Sequence, residues 1–154
     1  MDQIEGRPIG DSGIGIVSFG GPIVNVLVYY YEVNKMAPVI HGAVPGAARQ
    51  GQPWSQWYHA NGSAIVEAAI AVDEHNDLFL IEMFEDTDGR YVFLAYGIGW
   101  KGTYAAGKYF HDVVYPSVAQ STDSWMIVKW EDTNGNGFVN AFNDGDTYIV
   151  LASG

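Results

Sequence analysis

Asp132, Asn134, Asn136 and Asn140 stand at positions 1, 3, 5 and 9 of a loop whose sixth residue is Gly137. Calcium is a hard cation that takes six to eight oxygen ligands, and a glycine at the sixth position lets the chain reverse sharply around it. The expected ligand set is Asp132, Asn134, Asn136, Phe138 at position 7, Asn140 and Asp144. Position 12 is Asn143, where a bidentate acid is wanted, so Asp144, or Asp146, has to serve after a small shift. Val139 at position 8 is the apolar anchor such a loop sets into a core. The same residues equally suit a polar hairpin, in which Asn and Gly supply left-handed turns without metal.

Over this one segment the pattern resembles the calcium loops of dockerin and EF-hand proteins. It departs from them in its approach, because residues 125–130 (WMIVKW) alternate as a strand rather than a leading helix.

A second concentration of oxygens runs through Asp73, Glu74, Asp77, Glu82, Glu85, Asp86 and Asp88, with no Lys or Arg between Arg49 and Arg90. Clustered carboxylates at Glu85-Asp86-Thr87-Asp88-Gly89 suit either a second cation or a solvated turn. Glu82 interrupts the apolar run LFLIEMF, so it either shares an outer face with Leu80 and Phe84 or needs a partner inside. His41, His59, His75 and His111 are scattered, with no i,i+4 pair and no cysteine, which is poor material for zinc.

Trp54, Trp57, Tyr58 and His59 form an aromatic loop that either stacks on a sugar, as in a carbohydrate-binding module, or packs inward. A hydrolase reading has Glu82 or Asp86 acting with a histidine; Ser18 before Gly20-Gly21 is not a nucleophile elbow. Gly97, Gly99 and Gly102 loosely resemble a phosphate cradle. They are better explained as room for Trp100 to turn inward and for a helix to approach the sheet closely. Asn61-Gly62-Ser63 is an N-glycosylation acceptor triplet, which points to an exported protein with a glycan on Asn61.

These residues need elements to hold them. Residues 14–19 (IGIVSF) read as a buried strand ended by Gly20-Gly21-Pro22. Proline at a first helical position then predicts a helix over residues 22–35, a strand being the rival assignment. Residues 37–40 are extended, residues 42–56 a loop, and residues 63–72 a strand or helix. LFLIEMF (78–84) and RYVFLAY (90–96) flank Asp88-Gly89, whose glycine supplies the positive φ of a tight hairpin. Thr103 caps a helix over residues 104–115, closed by Pro116. Residues 125–130 and 147–151 are the last strands. Helices interleaved with strands imply an α/β or α+β class: one layered domain with a mixed sheet, two helices and a β-hairpin.

The chain has 154 residues, 18 acidic and 7 basic, with a formal charge of −11 and a pI near 4.4. That excess of acid repels phosphate, so nucleic acid is excluded as a partner. With 48% apolar residues, 5 Trp, 10 Tyr and 7 Phe, the chain has enough to fill a core and is not a disordered segment. No apolar stretch escapes interruption for long enough to make a transmembrane segment. Zero cysteines exclude disulfides and thiolate chemistry. Residues 1–8, containing Ile4-Glu5-Gly6-Arg7, read as a cleavage tag or processed end without a signal peptide, and residues 9–154 as a single globular domain.

The segment Ser18-Phe19-Gly20-Gly21-Pro22-Ile23-Val24-Asn25, an apolar strand followed by Gly-Gly-Pro-x-x-Asn, resembles archaeal surface-layer and related envelope proteins. The block from Gly89 through Ala106 is similar in character, and together the two cover about a quarter of the chain. The resemblance implies a non-enzymatic, extracellular structural protein that self-associates into a lattice or filament, often with calcium. Such proteins are usually far longer, so this chain is expected to be a fragment, a mature subunit or a small relative. Within the motif itself, Gly20, Gly21 and Pro22 turn the strand, and Asn25 is suited to hydrogen-bond the loop backbone.

Overall fold

A computed structural model describes residues 15–48, 52–53, 55–65 and 72–154. The assignments made above to residues 1–8, to Trp54 and to most of 63–72 lie outside the described residues. The fold is α+β, with a mixed five-stranded sheet in the order β1-β5-β4-β6-β7 and a two-stranded sheet, β2-β3. The strands are β1 (Ile16–Phe19), β2 (Val39–His41), β3 (Trp57–His59), β4 (Asn76–Glu85), β5 (Tyr91–Gly97), β6 (Trp125–Glu131) and β7 (Thr147–Ser153). The helices are α1 (Val26–Val33) and α2 (Trp100–Tyr109). Two compact units divide the chain: the described residues up to 65 with Glu82–Leu94, and residues 72–81 with Ala95–Gly154.

In the first unit, α1 begins at Val26, four residues later than a helix opened by Pro22. The reason is Asn25, whose Oδ1 accepts the Leu27 N–H at 3.1 Å and the Val28 N–H at 3.4 Å. An Asx cap satisfies orphan helix donors, which proline at position 22 only avoids needing. Residues 22–24 instead form a turn closed on the Gly21 carbonyl by Val24 N–H and Asn25 N–H. Val28, Tyr31 and Glu32 are the buried face of α1, at the i, i+3 and i+4 spacing of a helix stripe. β2 and β3 pair antiparallel with Ile40 opposite Tyr58. Along β4, whose residues 78–81 belong to the second unit and whose Glu82 belongs to the first, alternation fails because all five residues are buried. The β4–β5 hairpin turns where Asp88-Gly89 places it, with Gly89 at φ 77°.

In the second unit, α2 starts at Trp100 with Gly99 as its cap residue, not after Thr103. Thr103 lies inside the first turn, its Oγ1 accepting Gly97 N–H at 3.0 Å and donating to the Gly99 carbonyl at 3.3 Å. Pro116 does not end the helical run either. A π-helical turn, Phe110–Val114, carries the Tyr115 N–H back to the Phe110 carbonyl, and one α-turn (Tyr115–Ser117) and a 3-10 turn (Val118–Gln120) follow. The wider turn lies just ahead of the proline, where a regular helix would meet its ring and its missing N–H. β6 and β7 pair antiparallel, with an irregularity between Ile127 and Val128. Phe79, Tyr109, Phe142 and Tyr148 form a ring cluster in which Tyr109 and Tyr148 stack at 5.4 Å.

Candidate functional site

The loop that follows β6 is closed by its own amides. Asp132, buried at the strand end, accepts Asn136 N–H on Oδ1 at 3.2 Å and Gly137 N–H on Oδ2 at 2.8 Å. His75 Nδ1 meets the same Oδ2 at 2.9 Å. Burial works against the Asp132 charge, but His75 and the loop N–H groups outweigh it and hold the carboxyl below its ordinary range. Asn134 Oδ1 accepts Asn136 N–H, and Asn136 Oδ1 accepts Phe138 N–H. Gly135 and Gly137 take positive φ, as does Asn143 at 64°. Val139 is buried, as an anchor should be, whereas the Phe138 ring is exposed.

Asp144 and Asp146 part company here. Asp144 is exposed, while Asp146 is buried and accepts Asn140 N–H and Trp130 Nε1–H, each at 2.7 Å, on Oδ2. Asn140 Nδ2 also donates to Asp146 Oδ1 at 3.3 Å, and Tyr148 OH donates to the Asn140 carbonyl at 2.6 Å. The positive charge beside the loop is Lys101, whose Nζ donates to the Gly137 carbonyl at 2.9 Å and the Glu74 carbonyl at 2.5 Å. Calcium would need the oxygens of Asp132, Asn134, Asn136 and Asn140 to converge. In this arrangement the oxygens of Asp132, Asn134 and Asn136 accept loop N–H groups, and Asn140 turns its Nδ2 to Asp146. Among the described residues, no three His, Asp or Glu side chains form a group suited to a metal ion. His75 and Lys101 were not in the expected set, and Asp146 entered it only as the alternative to Asp144; His75 lies 57 residues from Asp132 in sequence, beyond any local spacing.

At the start of α2 the phosphate-cradle resemblance finds a different explanation. Asp77, 2% exposed, reaches Gly102 N–H at 2.7 Å and Gly99 N–H at 3.1 Å, and also accepts its neighbour Leu78 N–H. A helix N-terminus favours an anion, and here the chain supplies it. Burial raises the Asp77 carboxyl, against the pull of those three amides. A Cβ on Gly99 or Gly102 would come within 2.7 Å of the Asp77 carboxyl group. The glycines therefore make room for Asp77, and Trp100 turns outward, 74% exposed, rather than inward.

The Gly-Gly-Pro-x-x-Asn segment is a strand-to-helix clamp. Asn25 Nδ2 donates to Ser18 Oγ at 2.7 Å and to the Phe19 carbonyl at 2.9 Å, while its Oδ1 caps α1. Gly20 sits at φ 98°, where an L side chain is strained. Pro22 is buried, and Ile23 and Val24 stand in solvent.

The remaining acids of the first unit also turn to the chain. Asp86 takes Arg90 Nε–H at 2.8 Å, the Tyr31 hydroxyl at 2.9 Å and the amides of Asp88 and Arg90. Arg90 also pairs with Asp88, so the cation at the hairpin tip is Arg90 itself. Glu82 is buried rather than on an outer face. Its Oε2 accepts Val39 N–H, and its Oε1 has no hydrogen-bond partner. Burial, then the neighbouring Glu32 charge, raises the Glu82 carboxyl well above its ordinary value. Trp57 and Tyr58 are buried and unable to stack on a sugar, so the carbohydrate platform fails on its two described tryptophan and tyrosine rings. Asn61 is exposed, and its Oδ1 accepts both the N–H and the hydroxyl of Ser63.

Among the described residues no helix is long and apolar enough to cross a membrane. No protein-family model matches the chain, and no curated protein or solved structure matches it.

Proposed function

We propose that the chain is a non-enzymatic structural protein of the cell surface, a self-associating subunit or domain of an archaeal surface layer or filament. The observation that carries this reading is the employment of the buried carboxylates. Glu32, Asp77, Glu82, Asp86, Asp132 and Asp146 each accept a hydrogen bond from the chain's own N–H groups. A carboxylate that does acid–base or nucleophilic work needs a lone pair aimed at a substrate. These six instead pin strand edges, a helix start, a hairpin and a loop, which is what a load-carrying scaffold asks of them. The Gly-Gly-Pro-x-x-Asn resemblance supports the same reading.

Calcium has a reduced part in it, because Lys101 and the loop amides already hold the 132–146 turn. Asn61, exposed beside Ser63, is the position at which an exported chain would carry a glycan.

The test is sedimentation velocity over a wide concentration range, with electron microscopy of the purified protein in millimolar calcium and in EDTA. Oligomers, sheets or filaments in both conditions are expected. A monodisperse monomer at every concentration overturns the reading.

A further inference from the structure

The described edge of the five-stranded sheet in the first unit is unusually undefended. β1 stands at the end of the strand order, and no Asp, Glu, Lys or Arg occurs between residues 12 and 31. Natural edge strands are normally blunted by charge, proline or a bulge, because bare N–H and C=O groups recruit another strand. β1, Ile16–Phe19, carries neither charge nor proline. Around it, apolar side chains face water: Val17 is 66% exposed, Phe19 50%, Ile23 68%, Val24 83% and Val26 67%. Contiguous exposed apolar surface on a soluble domain marks an interaction site.

The surface is preformed. Asn25 ties Ser18, Phe19 and the first turn of α1 together, so docking orders little that is not already ordered. Beside the projecting Ile23 lies a hollow of about 310 Å³ lined by Pro22, Ile23, Tyr29, Ala43 and Val44. Apolar projections and a recess thus lie side by side here, as a self-complementary contact requires.

Charge selects the occupant. Two copies each carrying −11 repel through any face that displays the acid excess. This segment is neutral over twenty residues, so here the repulsion between like chains is least, and it offers no acid to draw a basic partner. The other edge strand, β7, follows directly on Asp144 and Asp146.

We propose that β1, the 22–24 turn and the outer face of α1 are the surface on which a second copy of this chain docks, β1 pairing edge to edge with β1 of that copy. The inference rests on the self-association read above and names the surface that performs it.

The chain has no cysteine, so single-cysteine variants Val17→Cys and Phe19→Cys give a clean readout. Under mild oxidation at least one should form a disulfide-linked dimer. Val17→Lys and Val24→Lys, checked for native circular dichroism, should weaken self-association at least tenfold by sedimentation equilibrium, while Ile149→Lys on β7 should not. Wild-type assembly with no cross-link, and with folded lysine variants assembling normally, overturns this surface and leaves the structural reading standing. A wild-type monomer at all concentrations overturns both. If residues 1–14 of the same chain cover the patch, neither cysteine cross-links and both resist a soluble thiol reagent in the monomer, which also overturns it.

Discussion

Glu82 Oε2 accepts the Val39 N–H at 3.2 Å, two residues along β2 from the His41 N–H that Glu32 takes at 2.8 Å. Two carboxyl groups thus do for the outer edge of β2 what another strand would do, at the cost of placing two acids side by side in the core. Glu82 is 1% exposed and Glu32 fully buried.

Burial and the Glu32 charge raise the native Glu82 carboxyl well above its unfolded value. A raised native pKa contributes stability that is complete below the unfolded pKa and is lost as pH climbs through the native one. Glu82→Gln removes that loss. Thermal melts of wild type and variant from pH 5 to 9 should therefore diverge, with the variant gaining on the wild type toward alkaline pH. Parallel curves would refute a protonated Glu82.

His41 acts in the opposite sense. Burial lowers its imidazole to about 4, and its Nδ1 accepts the Ala43 N–H at 3.1 Å, which leaves the proton on Nε2. Its contribution to stability is present above the ordinary value of 6.5 and is lost as pH falls toward 4. An NMR titration of the imidazole should show a neutral ring down to about pH 5. Protonation near 6.5 would contradict the burial seen here.

Gly102 and Gly107 lie in the same helix and should respond oppositely to alanine. A Cβ on Gly102 meets the Asp77 carboxyl carbon at 2.7 Å and the Leu78 carbonyl at 2.8 Å, whereas one on Gly107 meets nothing within 4 Å. Gly102→Ala should cost about 1–3 kcal/mol through overpacking. Gly107→Ala should stabilise by about 0.5–1 kcal/mol, the helix-propensity difference. Chemical denaturation measures both, and equal effects would mean Asp77 is not seated on α2.

Asp146 and Asp144 give the matching contrast in the loop. Asp146→Ala strips acceptors from Trp130 Nε1 and Asn140 N–H, both at 2.7 Å, and should destabilise by about 1–3 kcal/mol. Asp144→Ala should stay within about 0.5 kcal/mol, as an exposed substitution does. Calcium and EDTA should leave the wild-type melting temperature unchanged. A rise that saturates with calcium, abolished by Asp132→Asn, would establish the metal loop instead.

Local chemistry was the legible part of this chain. The Asp88-Gly89 hairpin, the strands at 125–131 and 147–153, the Val139 anchor and the backbone role of Asn25 all follow from neighbours in sequence. Illegible features were those decided at a distance. Asp77 and the glycines of α2 are more than twenty residues apart, and nothing near Asp77 announces a helix to cap. Asn25 outcompetes Pro22 as a helix start because one side chain also reaches Ser18 and Phe19. Whether Trp57 and Tyr58 face a ligand or the core depends on what packs over β3, a tertiary fact. Asp144 and Asp146 differ only in which way the turn aims them, and Asn143 at positive φ sits just before that choice.

The carboxylate at the head of α2 has a consequence for how the protein meets its medium. A helix whose positive end is left to water or to dissolved anions feels changes in ionic composition there. This one brings its counter-ion from within the fold, sealed from solvent. Brine or fresh water would alter the screening among the surface acids while the start of that helix stays as it is.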